Sequence, residues 1–148
     1  MLINEYETTY IARPDLTEDL TERIKQKFEA LIANNSGTIL VTEDWGKRKL
    51  AYPIRKHIRG HYVYLNYVGP SSIVAELERN LNNEDDLLRY LTVVMSSNVD
   101  VEAARTVATE RHLLRQQRMA ALREEEENEA RYRAEAEADE DAPIEAED

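Results

Sequence analysis

The sequence contains no cysteine, which excludes both a disulfide framework and a metal site built on thiolates. No stretch approaches the ~20 consecutive apolar residues that a membrane-spanning helix needs. The N-terminal segment also lacks the basic start and apolar run of a secretory signal peptide. These absences predict a soluble protein of the cell interior. The chain length of 148 residues predicts one compact domain with an appendage.

Negative charge is unevenly distributed along the chain, whose formal net charge is −11. Residues 124–148 contain 13 acidic residues and two arginines, whereas residues 1–123 contain 17 acidic and 17 basic residues. The acidity of the protein is therefore the acidity of its C-terminal end. Because this end has no core-forming residues, we expect residues 124–148 to be a disordered, solubilising tail. The alternatives are a functional acidic segment and a decoy for nucleic acid.

Acidic residues are absent from one long central segment, residues 45–67, which reads WGKRKLAYPIRKHIRGHYVYLNY. Clustered Lys and Arg without acids between them favour contact with a phosphate backbone, because each neutralised phosphate releases a condensed counterion. Neighbouring aromatic rings can stack on unpaired bases. A solvated hairpin whose charges protect an edge strand would carry the same pattern. Five aromatic residues lie in the segment, with six basic ones: Lys47, Arg48, Lys49, Arg55, Lys56 and Arg59.

The N-terminal part of the chain alternates as a strand and then changes to helical periodicity. Tyr6, Thr8 and Tyr10 share one face of the strand. Thr17 is a candidate N-cap for the amphipathic helix that follows, and we expect Gly37 to end that helix in a left-handed conformation.

The next strand, residues 38–54, has the features of an edge strand. Gly46 interrupts it as a bulge would, and Pro53 cannot donate a ladder hydrogen bond. A turn through residues 56–60 leads to a third strand, residues 61–68. We therefore expect the second and third strands to pair as a hairpin.

A second helix starting near Ser72 and a fourth strand, residues 87–96, complete the order βαββαβ. This order predicts an α+β, ferredoxin-like domain over residues 1–97, in which a four-stranded antiparallel sheet carries two helices on one face. Residues 98–123 predict a C-terminal helical extension. Its apolar spacing does not sustain heptads, which argues against a coiled-coil homodimer.

Alternation along the third strand predicts which side chains face away from the helices. If Val63, Leu65 and Tyr67 face the helices, then Tyr62 and Tyr64 lie on the open face of the sheet. Aromatic side chains on an uncovered face favour a binding partner. Tyrosine also tolerates half-exposure, and it stabilises cross-strand pairs without any partner.

Catalytic and metal-binding patterns are not found in the sequence. His57, His61 and His112 are its only histidines, and the first two fall in a turn and a strand rather than on one helix face. There is no glycine-rich phosphate loop, no G-x-S-x-G motif and no cysteine nucleophile. The sequence predicts a protein without enzymatic activity, metal or cofactor.

Three stretches resemble the bacterial small-subunit ribosomal protein S-six family, named for the sixth protein of the 30S subunit. They read YETTYIARPDL, EDWGKRKLAYPIRKHIRGHYVYLNY and ELERNLNNEDDLLRYLTVV, and they stand in the family's order and spacing over residues 5–95. The most specific part is W-G-x-R-x-L-A-Y-x-I, residues 45–54.

The resemblance implies a ferredoxin-like fold, no catalysis and a place in the cytoplasmic ribosome. It also implies pairing with the eighteenth small-subunit protein, binding of the pair to the central domain of 16S ribosomal RNA, and a role in platform assembly. Expected partner-contact residues are Arg48, Tyr52, Ile54, Tyr62 and Tyr64. Expected RNA-contact residues are the six basic residues of the central segment together with Arg89. The alternative is a ferredoxin-like regulatory or small-molecule-binding module, which would need a closed pocket.

Overall fold

The computed structural model describes residues 2–141. Within the described residues the chain divides into two compact units, one ending at Thr109 and the other beginning at Glu110. No helix within the described part is long and apolar enough to cross a membrane. In chain order the elements are β1 (Asn4–Ala12), α1 (Glu18–Asn34), β2 (Thr38–Ile54), β3 (His57–Gly69), α2 (Ser72–Asn83), β4 (Leu87–Ser96) and α3 (Val101–Glu140).

The four strands form one antiparallel sheet in the order β2-β3-β1-β4. This arrangement confirms the predicted ferredoxin-like topology and places β2 at an edge, as Gly46 and Pro53 indicate. The second edge strand is β4. The predicted bulge is also present, because the β2–β3 register shifts between Asp44 and Gly46, where Gly46 has φ 75°.

The main core lies between the sheet and the two helices α1 and α2. Phe28 and Ile32 of α1 and Leu77 of α2 are fully buried there. As predicted, one face of β1 and one face of β3 supply the sheet side of this core: Tyr6, Tyr10, Val63, Leu65 and Tyr67. The face opposite the helices carries a second, smaller apolar cluster, which is described below with the candidate interface.

Helix α1 begins as predicted but ends differently. The side chain of Thr17 accepts a hydrogen bond from the backbone N–H of Leu20 at 3.3 Å, which confirms the N-cap. The left-handed residue after the helix is Ser36, with φ 66°, so the prediction for Gly37 is wrong. Gly37 is instead required for close packing, because a Cβ atom there would lie 2.6 Å from Ile73 Cδ1.

Asp100 caps the N-terminus of helix α3, because its carboxylate accepts a hydrogen bond from the backbone N–H of Ala103 at 3.2 Å. Ala104 and Ala108 in the first turns of the helix are buried. The helix continues to Glu140, so the predicted boundary at residue 123 and the predicted disorder beyond it are corrected up to that residue. Glu, Ala and Arg are strong helix formers, and neither glycine nor proline interrupts the helix. Residues 142–148 of the predicted tail lie outside the described residues.

Candidate nucleic-acid and protein interface

The β2–β3 hairpin closes through Arg55 and Lys56, which both have left-handed backbones with φ 46° and 67°. The turn is therefore shorter than the predicted turn over residues 56–60. Gly60 lies inside β3, where a Cβ atom would collide with the Ile11 side chain. Tight two-residue turns with two left-handed positions normally use Asn-Gly, so two bulky basic residues there are unusual.

The bulge at Gly46 places Trp45 on the face opposite the helices. Asp44 accepts a hydrogen bond from the Gly46 N–H at 2.8 Å, and its carboxylate also contacts His61 Nε2 at 2.6 Å. The Trp45 ring stacks on Tyr64, with ring centroids 5.3 Å apart and an interplanar angle of 11°. These contacts fix the indole in one position at the centre of this face.

Tyr64 is consequently buried rather than uncovered. Its exposed fraction is 4%, and its hydroxyl donates to Glu7 at 2.5 Å. Tyr64 lies on the predicted face of the sheet, but its ring is not exposed there, because Trp45 covers it and the sequence does not reveal that contact. Trp45 also contacts Arg48. The Arg48 guanidinium lies 5.4 Å from the centre of the Trp45 ring, in a cation–π arrangement.

A second apolar cluster extends this face toward the hairpin tip. The β2–β3 register breaks between Lys49 and Ile54, and Leu50 packs onto Ile11 and Leu88. Tyr62 and Ile54 pack against the edge of this cluster while remaining partly exposed. The predicted partner-contact residues therefore lie in two adjoining groups on one face.

Tyr52 is the most exposed of the predicted partner-contact residues, with 54% of its surface accessible. Arg89, from β4, lies 5.1 Å from the centre of the Tyr52 ring and donates a hydrogen bond to the Tyr52 hydroxyl. The two residues are 37 positions apart in the sequence, so only the fold brings them together.

The basic residues of the hairpin are divided between its two sides. In the β2–β3 ladder Lys47 pairs with His61, and Lys49 pairs directly with Arg59. Strand alternation puts Lys47, Lys49 and Arg59 on one side and Arg48 on the other. Within the described part of the chain the three residues that share a side make no ion pair. We call these three exposed residues the basic ladder.

Arg55 and Arg89 are brought together at a small cleft between the hairpin tip, the end of α2 and the start of β4. The cleft has a volume of about 190 Å³, and its polar lining includes Asn82, Glu84 and Tyr90. Sequence reasoning missed these last three residues and also Trp45. The W-G dipeptide before the basic run was the available signal for Trp45, but nothing in the sequence marks Asn82 or Glu84 as neighbours of Arg55.

Buried polar groups also lie on the face opposite the helices. Asn66 donates to Glu5 Oε2 at 3.2 Å and to the Tyr6 carbonyl at 3.1 Å, and Glu43 is buried nearby in the β2–β3 ladder opposite Tyr64. Across residues 2–141 no group of three or more His, Cys, Asp or Glu side chains could hold a metal ion. The face is thus a packed surface of aromatic, apolar and hydrogen-bonded side chains.

Comparison with known proteins shows which family the chain is similar to. The family model for ribosomal protein S6 matches residues 5–94. The small ribosomal subunit protein bS6 of Geotalea uraniireducens is 46% identical over 99 residues, covering 67% of this chain and 77% of that protein. The protein of the same name from Citrifermentans bemidjiense is 44% identical over 102 residues, covering 69% and 76%.

A solved structure agrees with the fold. The crystal structure of 30S ribosomal protein S6 from Thermotoga maritima superposes with a TM-score of 0.61 at 26% identity, covering 63% of this chain and 88% of that one. The chain therefore belongs to the ribosomal protein S6 family, whose members are structural components of the small subunit of the ribosome, in the cytoplasm of bacteria.

Proposed function

We propose that this chain binds the central domain of 16S ribosomal RNA as a heterodimer with the eighteenth small-subunit protein and that it thereby aids platform assembly. It acts by binding and performs no catalysis. The observation that carries the RNA part of the proposal is the basic ladder, in which Lys49 and Arg59 stand directly opposite each other.

Like charges at directly opposed strand positions repel each other and destabilise the strand pair. A bound phosphate would remove that repulsion, because its negative charge would sit between the two cations. Each neutralised phosphate releases counterions and adds about −0.9 for duplex DNA, or about −0.7 for a single strand, to the slope of log K against log salt. The three side chains of the basic ladder should therefore supply a slope of about −2 to −3.

The protein part of the proposal rests on the opposite side of the same hairpin. Aromatic and arginine side chains are the residues most often found to dominate binding energy in protein interfaces. Arg48 on Trp45, and the exposed ring of Tyr52, provide such groups. Tyr64 supports this surface from below by holding the indole of Trp45.

The two surfaces give a reason for cooperative assembly. When a second basic protein docks on one side of the hairpin, both proteins present phosphate-binding groups to one RNA, and the second contact becomes intramolecular. We therefore expect weak RNA binding by the isolated chain and much tighter binding by the heterodimer.

The test measures the affinity for a central-domain 16S RNA fragment across a salt series, with and without the partner protein. The variant Lys47→Gln, Lys49→Gln, Arg59→Gln should bind more weakly and should lower the salt slope by about 2 to 3. The control Arg23→Gln, Lys25→Gln, Arg79→Gln removes the same charge from α1 and α2 and should change the slope little. Equal RNA affinity with and without the partner would overturn the cooperative mechanism.

A further inference from the structure

The cleft beside the hairpin tip has the size and chemistry of a site for a small polar group. Its volume of about 190 Å³ lies below the roughly 300–1,000 Å³ of pockets that hold drug-sized ligands. Such a space suits one heterocyclic base whose phosphate stays at the open side of the cleft. A whole cofactor would not fit.

Two guanidinium groups from distant parts of the chain line this cleft. Arg55 donates one hydrogen bond to the carbonyl oxygen of Asp85 at 3.3 Å. Arg89 is held by the ring and hydroxyl of Tyr52. A guanidinium group carries five N–H donors, so each arginine keeps several donors beyond the contact that orients it. Planar groups fixed in this way are suited to bidentate phosphate recognition and to stacking on bases.

The backbone of the hairpin tip supports a binding role for Arg55. A left-handed conformation at a non-glycine residue is unfavourable, and such conformations cluster at sites where function requires them. Asn-Gly would close the same turn without that penalty. The chain instead keeps Arg55 and Lys56 there, at φ 46° and 67°.

Hydrogen-bonding groups suited to a base edge complete the cleft. Asn82 Oδ1 accepts from the Tyr90 hydroxyl at 2.8 Å, which fixes its amide N–H₂ as a donor. The carboxylate of Glu84 is an acceptor and is held by Lys27 Nζ at 3.1 Å. A site that binds only phosphate has no use for a carboxylate acceptor, whereas the edge of a base offers both donors and acceptors.

Building on the proposed function, we propose that this cleft binds a single unpaired nucleotide of the RNA. Arg55 and Arg89 contact its phosphate, and Asn82 and Glu84 contact the edge of its base. This site is distinct from the basic ladder, which contacts the backbone without reading any base. It makes the chain selective for an RNA in which one nucleotide is free to leave the helix.

The test uses the heterodimer and the central-domain RNA fragment with single abasic replacements at each unpaired position. For the wild-type chain, removal of the base at one position should weaken binding about tenfold or more. For the variant Arg55→Gly, Arg89→Gln the same abasic replacement should have no further effect. The matched control Lys47→Gln, Lys49→Gln loses the same charge and should retain the full abasic effect.

Each outcome separates this inference from the proposed function. If the wild-type heterodimer fails to bind the intact RNA, the proposed function is wrong. If it binds but no abasic position weakens binding, or the arginine variant responds to abasic replacement like wild type, the nucleotide site is wrong while the ribosomal function stands. Misfolding does not explain a loss in Arg55→Gly, because glycine relieves the left-handed backbone and thermal melting should confirm an intact fold.

Discussion

Two tyrosine hydroxyl groups are buried in the same core in opposite surroundings. Tyr10 is 1% exposed and packs on Phe28 with ring centroids 5.4 Å apart, but its hydroxyl has no hydrogen-bond partner in the described part of the chain. The hydroxyl of Tyr67 lies 2.8 Å from Thr8 Oγ1, which in turn lies 2.8 Å from Thr92 Oγ1. Removing the Tyr10 hydroxyl should therefore stabilise the protein, whereas removing the Tyr67 hydroxyl should destabilise it.

The magnitudes follow from the cost of an unsatisfied buried group. Burying a polar group without a partner costs roughly 1–3 kcal/mol, so Tyr10→Phe should raise the free energy of unfolding by about 1 kcal/mol. Tyr67→Phe breaks a buried hydrogen bond and leaves the Thr8 hydroxyl with one partner fewer. We expect it to lower the free energy of unfolding by about 1–2 kcal/mol.

Urea unfolding of the two variants and the wild type measures the difference. Each substitution removes one oxygen atom and keeps the aromatic ring, so the dependence of stability on urea concentration should stay constant while the midpoints separate. The two variants should differ by about 2–3 kcal/mol, with wild type between them. If Tyr10→Phe is destabilised as much as Tyr67→Phe, the Tyr10 hydroxyl has a partner and the reasoning fails.

Three further predictions concern pH, the hairpin tip and a glycine. Burial raises the pKa of Tyr67 from 10.0 to about 12, so the folded state favours the neutral phenol. The stability that the neutral phenol contributes is therefore present below pH 10 and is lost as the pH rises toward 12. In alkaline urea titrations Tyr67→Phe should therefore lose less stability between pH 10 and 12 than wild type does. The double substitution Arg55→Asn, Lys56→Gly should raise the free energy of unfolding by about 1–2 kcal/mol because it relieves left-handed backbones; a lower urea midpoint would contradict this. Gly37→Ala should lower the thermal midpoint because the added methyl group would lie 2.6 Å from Ile73, and an unchanged midpoint would mean that the helix and Ile73 adjust freely.

Much of the fold could be predicted because its signals are local. The period-two alternation in β3 assigns Val63, Leu65 and Tyr67 to one face, and the Thr17 cap lies next to the helix that it starts. The prediction that failed for Gly37, and the unforeseen place of Gly60 inside β3, depend on packing contacts. A Cβ atom at Gly37 would collide with Ile73 and with Ile32 at the end of α1, and one at Gly60 would collide with Ile11. The contacts with Ile73 and Ile11 join distant parts of the chain, so a rule based on turn conformation could not identify them.

The candidate site could be predicted only in part, for a related reason. The acid-free segment identifies the basic residues, but their grouping depends on contacts between distant elements. Arg55 and Arg89 line one cleft although one lies in the hairpin turn and the other in β4, and the sequence carries no local signal for the register break between Lys49 and Ile54 that precedes Arg55. Charge composition predicts that the hairpin binds an anion, whereas the fold determines which cations act together.

The bulge and the later register break give the two sides of one hairpin different chemistry. Side chains alternate between the faces of a strand, so a shift of one residue exchanges the two sets. Gly46 sets the alternation that puts Arg48 over Trp45 and leaves Lys47 and Lys49 on the other side. In a regular strand without this bulge, Lys47 and Lys49 would lie on the same side as Trp45, and the basic ladder would not be separate from the Trp45 ring. The acid-free sequence is thus compatible with two interfaces only because backbone geometry sorts it into two chemically different sides.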